Sequence, residues 1–100
     1  MASFFTTAFY HFVTINDIKN MQSIIQDYCD RTSIKGTILI ANEGINGTIS
    51  GKEKEILEFH KFIKYDQIFS NVFQLLEYKS SWSNNNPFYR MKVRLKKEIV

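Results

Sequence analysis

The sequence predicts a single α+β domain in which an antiparallel sheet is covered on one face by two helices. Three observations lead there. Apolar residues recur at helical spacing in two segments, Ile18–Met21–Ile25–Tyr28 and Ile56–Phe59–Ile63. Short runs rich in β-branched and aromatic residues stand before, between and after those segments. The chain has 100 residues, a hydrophobic share of 44% and an aromatic share of 15%, which suits one core without an internal boundary and excludes a disordered chain.

Phe4 to Ile15 has no Gly or Pro and reads as a first strand. Asn16 or Asp17 offers a cap for a helix from about Asp17 to Cys29. Lys35 to Ala41 (KGTILIA) and Ile45 to Ser50 (INGTIS) follow as a strand pair joined at Asn42-Glu43-Gly44, with the turn at Glu43-Gly44. A turn at Asn46-Gly47 would leave too little chain to pair, so Gly47 is expected to relieve a bulge or admit a close neighbour. Ser50 and Glu53 spell a capping box ahead of the second helix, which buries Ile56, Phe59 and Ile63 and keeps Lys52 to Glu55 in solvent. Tyr65 to Asn71 reads as a connecting turn, Val72 to Tyr78 as a strand, Ser80 to Pro87 (SSWSNNNP) as a polar loop, and Arg90 to Val100 as a closing strand.

The resulting order, β-α-β-β-α-β with an additional strand, is that of a ferredoxin-like or acylphosphatase-like sandwich. No internal repeat is visible. The last strand reaches Glu98-Ile99-Val100 without a turn residue or polar tail, so the chain is expected to be an excised amino-terminal fragment with a further domain after it.

The amino terminus lacks a basic segment followed by an apolar run and a small-residue cleavage site, and no stretch approaches the ~18 apolar residues of a membrane span. A single cysteine, Cys29, allows no intrachain disulfide; that fits a reducing cytoplasm, and the expectation is a cytoplasmic domain without a membrane partner. Asn46-Gly47-Thr48 spells a glycosylation acceptor, which without a secretory signal is incidental.

The net charge of +3 is modest, but its distribution is uneven. Arg90, Lys92, Arg94 and Lys96 alternate with Met91, Val93 and Leu95, and Lys97 follows. In a strand, the four alternating cations would line one face, ~6.6 Å apart, and an anionic partner would relieve their repulsion. A basic edge strand that resists aggregation has the same pattern; four cations in one row favour the phosphate-tracking ridge. The hairpin Asn42 to Gly47 (NEGING) places two glycines beside Asn and Glu, which could present backbone N–H groups to a ligand; simple turn geometry explains the glycines better.

Other chemistry is thin. His60 is expected at the solvent edge of the second helix, and His11 as a core-lining or surface-platform side chain. Cys29 is expected to be a buried, inert thiol. Trp82 is equally suited to stacking a base, docking a domain or folding back on the sheet. No His/Cys spacing suits a metal, so no metal, no cofactor and no catalytic residue is expected here. An acylphosphatase would need Gly and a phosphate-binding Arg after the first strand, where Thr14-Ile15-Asn16-Asp17 stands. An RNA-recognition motif would need aromatics on the third strand, and Ile45 to Ser50 has none.

Three segments together resemble one family: Lys35 to Gly51 (KGTILIANEGINGTISG), Pro87 to Val100 (PFYRMKVRLKKEIV) and Tyr10 to Asp17 (YHFVTIND). They are similar to the amino-terminal, acylphosphatase-like domain of the rhodanese-related tRNA uridine hydroxylases. The resemblance implies an oxygen-dependent hydroxylation at carbon 5 of the wobble uridine in tRNA. It places the catalytic cysteine in a following rhodanese-like domain, so Cys29 does not correspond to it and this fragment is expected to be inert alone. It also implies that Arg90, Lys92, Arg94, Lys96 and Lys97, joined by Lys35 and Lys79, contact the anticodon arm. Glu43, Gly44, Asn46 and Gly47 then shape an interface or RNA contact. A structural domain that docks on the rhodanese-like part without touching RNA is the alternative.

Overall fold

The structure, a computed structural model, describes residues 3–99. Five strands and two helices follow one another as β1 (Phe4–Phe12), α1 (Ile18–Asp30), β2 (Lys35–Ala41), β3 (Gly44–Gly51), α2 (Glu53–Tyr65), β4 (Tyr78–Ser83) and β5 (Met91–Leu95). The sheet order is β4-β1-β3-β2-β5. Three of the four pairings are antiparallel; β5 runs parallel to β2, so the sheet is mixed where uniform antiparallel pairing was expected. The predicted α+β sandwich is otherwise the one observed.

Alternation builds the two layers. Phe5, Phe9, Ile38, Ile40, Ile45, Ile49 and Val93 point one way and meet Ile25 and Cys29 of α1 and Ile56, Phe59 and Ile63 of α2. Both helices therefore lie on the same side, and the opposite face of the sheet is left uncovered. Asp17 caps α1, its carboxylate accepting from the Asn20 N–H at 3.2 Å.

Several boundaries depart from the sequence reading. Ser50 does not cap α2: it lies inside β3, its hydroxyl accepts from that of Thr6 at 2.8 Å, and the cap position is Lys52, which makes no side-chain capping bond. Glu53 and Glu55 still sit in the first turn, where the helix dipole favours them. Within the expected Tyr65–Asn71 connection, Gln67–Phe69 forms one 3-10 turn closed by the Asp66 carboxylate on the Ile68 N–H, at 3.0 Å. Val72–Tyr78 is not a strand. Ser70 and Asn71 adopt left-handed backbone (φ 49° and 63°), and the turns that follow bury Phe73 and Leu76 at a spacing of three. The strand starts at Tyr78 and takes in Ser80 to Ser83, half of the segment read as loop, because β1 supplies the partner.

The β2–β3 turn falls on Asn42-Glu43, one residue earlier than expected. No bulge interrupts β3: Gly47 pairs in register with Phe9 and Ile38, and a Cβ there would come 2.7 Å from the Phe9 ring. The close-neighbour expectation is the one met. β5 is shorter than Arg90–Val100, although ladder hydrogen bonds reach one residue past each end, from the Gly36 N–H to the Arg90 carbonyl and from the Lys96 N–H to that of Ile40. Val100 lies outside the described residues.

Candidate nucleic-acid interface

The five strands contain no Asp or Glu. They contain four Lys and Arg residues, Lys35, Lys79, Lys92 and Arg94, and the register places all four on the face that the helices leave bare. Lys92 and Arg94 stand opposite Thr37 and Leu39, alternate to the buried Ile38 and Ile40. Lys35 stands opposite Ser50 on the same side. Lys79 stands opposite Ala8, alternate to the buried Thr7 and Phe9. Lys79 occupies one edge strand and Lys92 and Arg94 the other. Four inter-strand steps of ~4.8 Å put these edges ~19 Å apart.

The remaining candidates fall off that grid to different degrees. Arg90 and Lys96 flank β5 and are exposed; Arg90 joins Lys92, Thr37, Phe88 and Tyr89 around a shallow cleft of about 280 Å³. Lys97 is exposed in the bend beyond the strand. The sequence pattern thus gives two cations within the strand and one at each flank, where a row of four in one strand was expected.

The NEGING hairpin serves mainly as a joint. The Glu43 carboxylate accepts from the Ile99 N–H at 2.6 Å, tying down the segment after β5. The Asn42 amide donates to the Ile15 carbonyl at 2.9 Å, and the Glu43 and Asn42 carbonyls accept from Val13 and Ile15. Gly44 is needed because a Cβ there would lie 2.3 Å from the His11 carbonyl oxygen. Gly47 faces the core. Of the four hairpin candidates, Asn46 alone reaches the open face as a side chain, paired opposite Tyr10.

Sequence reading passed over the middle of this face. Ala8, Tyr10 and Phe12 alternate along β1 and are all exposed, with the Tyr10 and Phe12 rings edge-to-face at 4.9 Å. Their period of two was a usable signal. Beside them a cleft of about 390 Å³ opens between β4 and β3, lined by Ala8, Tyr10, Asn46, Thr48, Glu77 and Lys79 among others.

His60 corrects an expectation: it is buried, not at a solvent edge. Its Nε2 lies 2.8 Å from the Thr7 hydroxyl, its ring stacks on Tyr78 at 4.0 Å, and its Nδ1 has no partner. Burial, with a smaller contribution from Lys64, lowers its pKa to about 4. Burial likewise pushes the Cys29 thiol up to about 12, so it stays protonated and inert. Trp82 folds back beside Phe5, with ring centroids 4.9 Å apart, yet remains half exposed. Among the described residues, no group of three or more His, Cys, Asp or Glu side chains could hold a metal ion. Among the described residues, no helix is long and apolar enough to cross a membrane.

Residues 4–99 match the profile of the family described as the UPF0176 acylphosphatase like domain. The chain belongs to this family. Proteins named tRNA uridine(34) hydroxylase are its curated relatives. The one from Rhizobium leguminosarum bv. trifolii is 44% identical over 97 residues, covering 97% of this chain and 30% of its own length. That from Bartonella quintana is 46% identical over 98 residues, covering 98% and 31%. The chain thus spans about a third of the length of the relatives it matches. Among solved structures, "BlrB - a BLUF protein, dark state structure" superposes with TM-score 0.73 at 17% identity, over 95% of this chain and 74% of that one. An acylphosphatase from Coxiella burnetii gives 0.52 at 6% identity, over 94% and 92%. These likenesses establish the shared fold alone.

Proposed function

We propose that this domain is the substrate-binding and positioning part of a longer cytoplasmic enzyme that hydroxylates the wobble uridine of tRNA at carbon 5, using oxygen. In this reading it precedes a rhodanese-like domain that carries the catalytic cysteine, and it has no turnover by itself. The names of the relatives support the substrate. The observation that carries the reading is the sorting of charge: every charged residue of the five strands is a cation on the uncovered face. Lys92, Arg94, Lys35, the flanking Arg90, Lys96 and Lys97, and Lys79 across the sheet would meet phosphates of the anticodon arm. Contacts of this kind fix position and register and do not read sequence.

Salt dependence tests it. If about five of these seven contacts are made at once, a plot of log affinity against log salt should slope at roughly −3 to −4 when tRNA is titrated with this domain. A flat plot, or no binding at low salt, refutes the proposal.

The second reading, docking of the open face on the rest of the longer protein, is favoured by the exposed Tyr10 and Phe12 rings. The double reversal Lys92→Glu with Arg94→Glu in the full-length protein separates the two. Lost tRNA affinity with intact domain packing supports the RNA reading; spoiled packing with unchanged affinity supports docking.

A further inference from the structure

We infer that the cleft between β4 and β3 is a nucleobase subsite, receiving the base of one unpaired ribonucleotide against the Tyr10 ring. The inference rests on the RNA reading above and adds to it a place where the RNA is gripped by its base as well as its phosphates.

The register builds the hollow. Ala8, in the middle of β1, stands between Thr48 on β3 and Lys79 on β4, so a methyl group forms the floor where its neighbours are longer. One pleat along, Tyr10 stands opposite Asn46. A ring wall, a hydroxyl, an amide and an ammonium thus converge on a space of about 390 Å³, inside the range of about 300–1,000 Å³ typical of small-ligand sites.

Each group has a task in such a site. Tyr10 is 44% exposed, and its edge-to-face contact with Phe12 restrains the ring before any ligand arrives. A base stacked on it loses little further entropy. The Asn46 amide both donates and accepts, as the polar edge of a base requires, and the Thr48 hydroxyl can do either. Lys79 stands where the attached phosphate would leave the cleft. Glu77 at the rim repels a phosphate from that end and accepts from a base N–H such as the imino group of uracil or guanine. Duplex RNA keeps its bases stacked inside, so the site selects a loop nucleotide.

The test compares heptauridylate with an abasic ribose-phosphate oligomer of equal length and charge. Heptauridylate should bind the domain roughly 5- to 100-fold more tightly. Tyr10→Ser should erase that difference and Tyr10→Phe should keep it, with the salt slope unchanged in both. Should Tyr10→Ser fail to fold, amide shifts of the parent domain decide: Tyr10, Asn46, Thr48 and Lys79 should move with heptauridylate and stay put with the abasic oligomer. Equal affinity for the two oligomers overturns the subsite while leaving the phosphate grip intact. Failure of both to bind at low salt overturns both, and is also the result expected if a protein segment fills the cleft.

Discussion

The two faces of the sheet are made by the same five strands, yet they obey different rules. On the covered face, Phe9, Ile38, Ile40, Ile45 and Ile49 are packed against two helices, and the polar Thr7 and His60 are buried there as a hydrogen-bonded pair. On the open face, one residue along in each strand, stand Ala8, Tyr10, Asn46, Thr48 and the four strand cations. The first face holds stability; the second carries little of it and is free for a partner. A substitution should therefore alter folding or binding according to its parity in the strand.

The largest effect expected is on the covered side. Phe59→Ala removes a fully buried ring that touches Phe9, Tyr28 and His60, and should cost about 3–5 kcal/mol of unfolding free energy in a denaturant titration.

The next effect is a pH dependence from His60. Its imidazole protonates near pH 6.5 in the unfolded chain and only near pH 4 in the folded one. Between those values the unfolded state takes up the extra proton, so stability is full above pH 6.5 and falls as the pH drops toward 4. The loss should reach about 3 kcal/mol, since each tenfold difference in proton affinity is worth about 1.4 kcal/mol. Denaturation at pH 7 and pH 4.5 should show that this component vanishes in the double variant Thr7→Val with His60→Phe, which removes both partners together.

The smallest effect on stability belongs to the open face. Lys92→Glu with Arg94→Glu should leave the thermal midpoint nearly unchanged, each substitution lying within about 0.5 kcal/mol, since both side chains stand on a surface without a packed layer above it. A large loss of stability there would break the contrast between the faces.

Much of this architecture was legible in the residues, and the misreadings have physical causes. KGTILIA holds a short run of branched residues, Thr37 to Ile40, and its predicted bounds are those observed. Val72 to Tyr78 looked like a strand because apolar residues dense enough for a strand also suit a string of turns. Two left-handed residues, Ser70 and Asn71, set the chain turning, and no local pattern announced them. Ser80 to Ser83 looked like loop because Ser has little strand propensity; pairing with β1 overrides that. His60 looked solvated because helical spacing marked Ile56, Phe59 and Ile63 and gave no weight to a polar neighbour, which a hydroxyl on a distant strand made tolerable.

What the sequence determined by itself is which side chains share a face within one strand, because pleating fixes a period of two whatever the strand's neighbours are. That sufficed to set Lys92 and Arg94 together and apart from Val93. Only the tertiary structure decided that Lys35 stands near them and Lys79 at the far edge, that Ala8 lies between Thr48 and Lys79, and that Gly44 and Gly47 serve packing. Strand order, the parallel β2–β5 pairing and register depend on contacts between residues far apart in the chain, which the collective burial of both helices selects and no local pattern encodes.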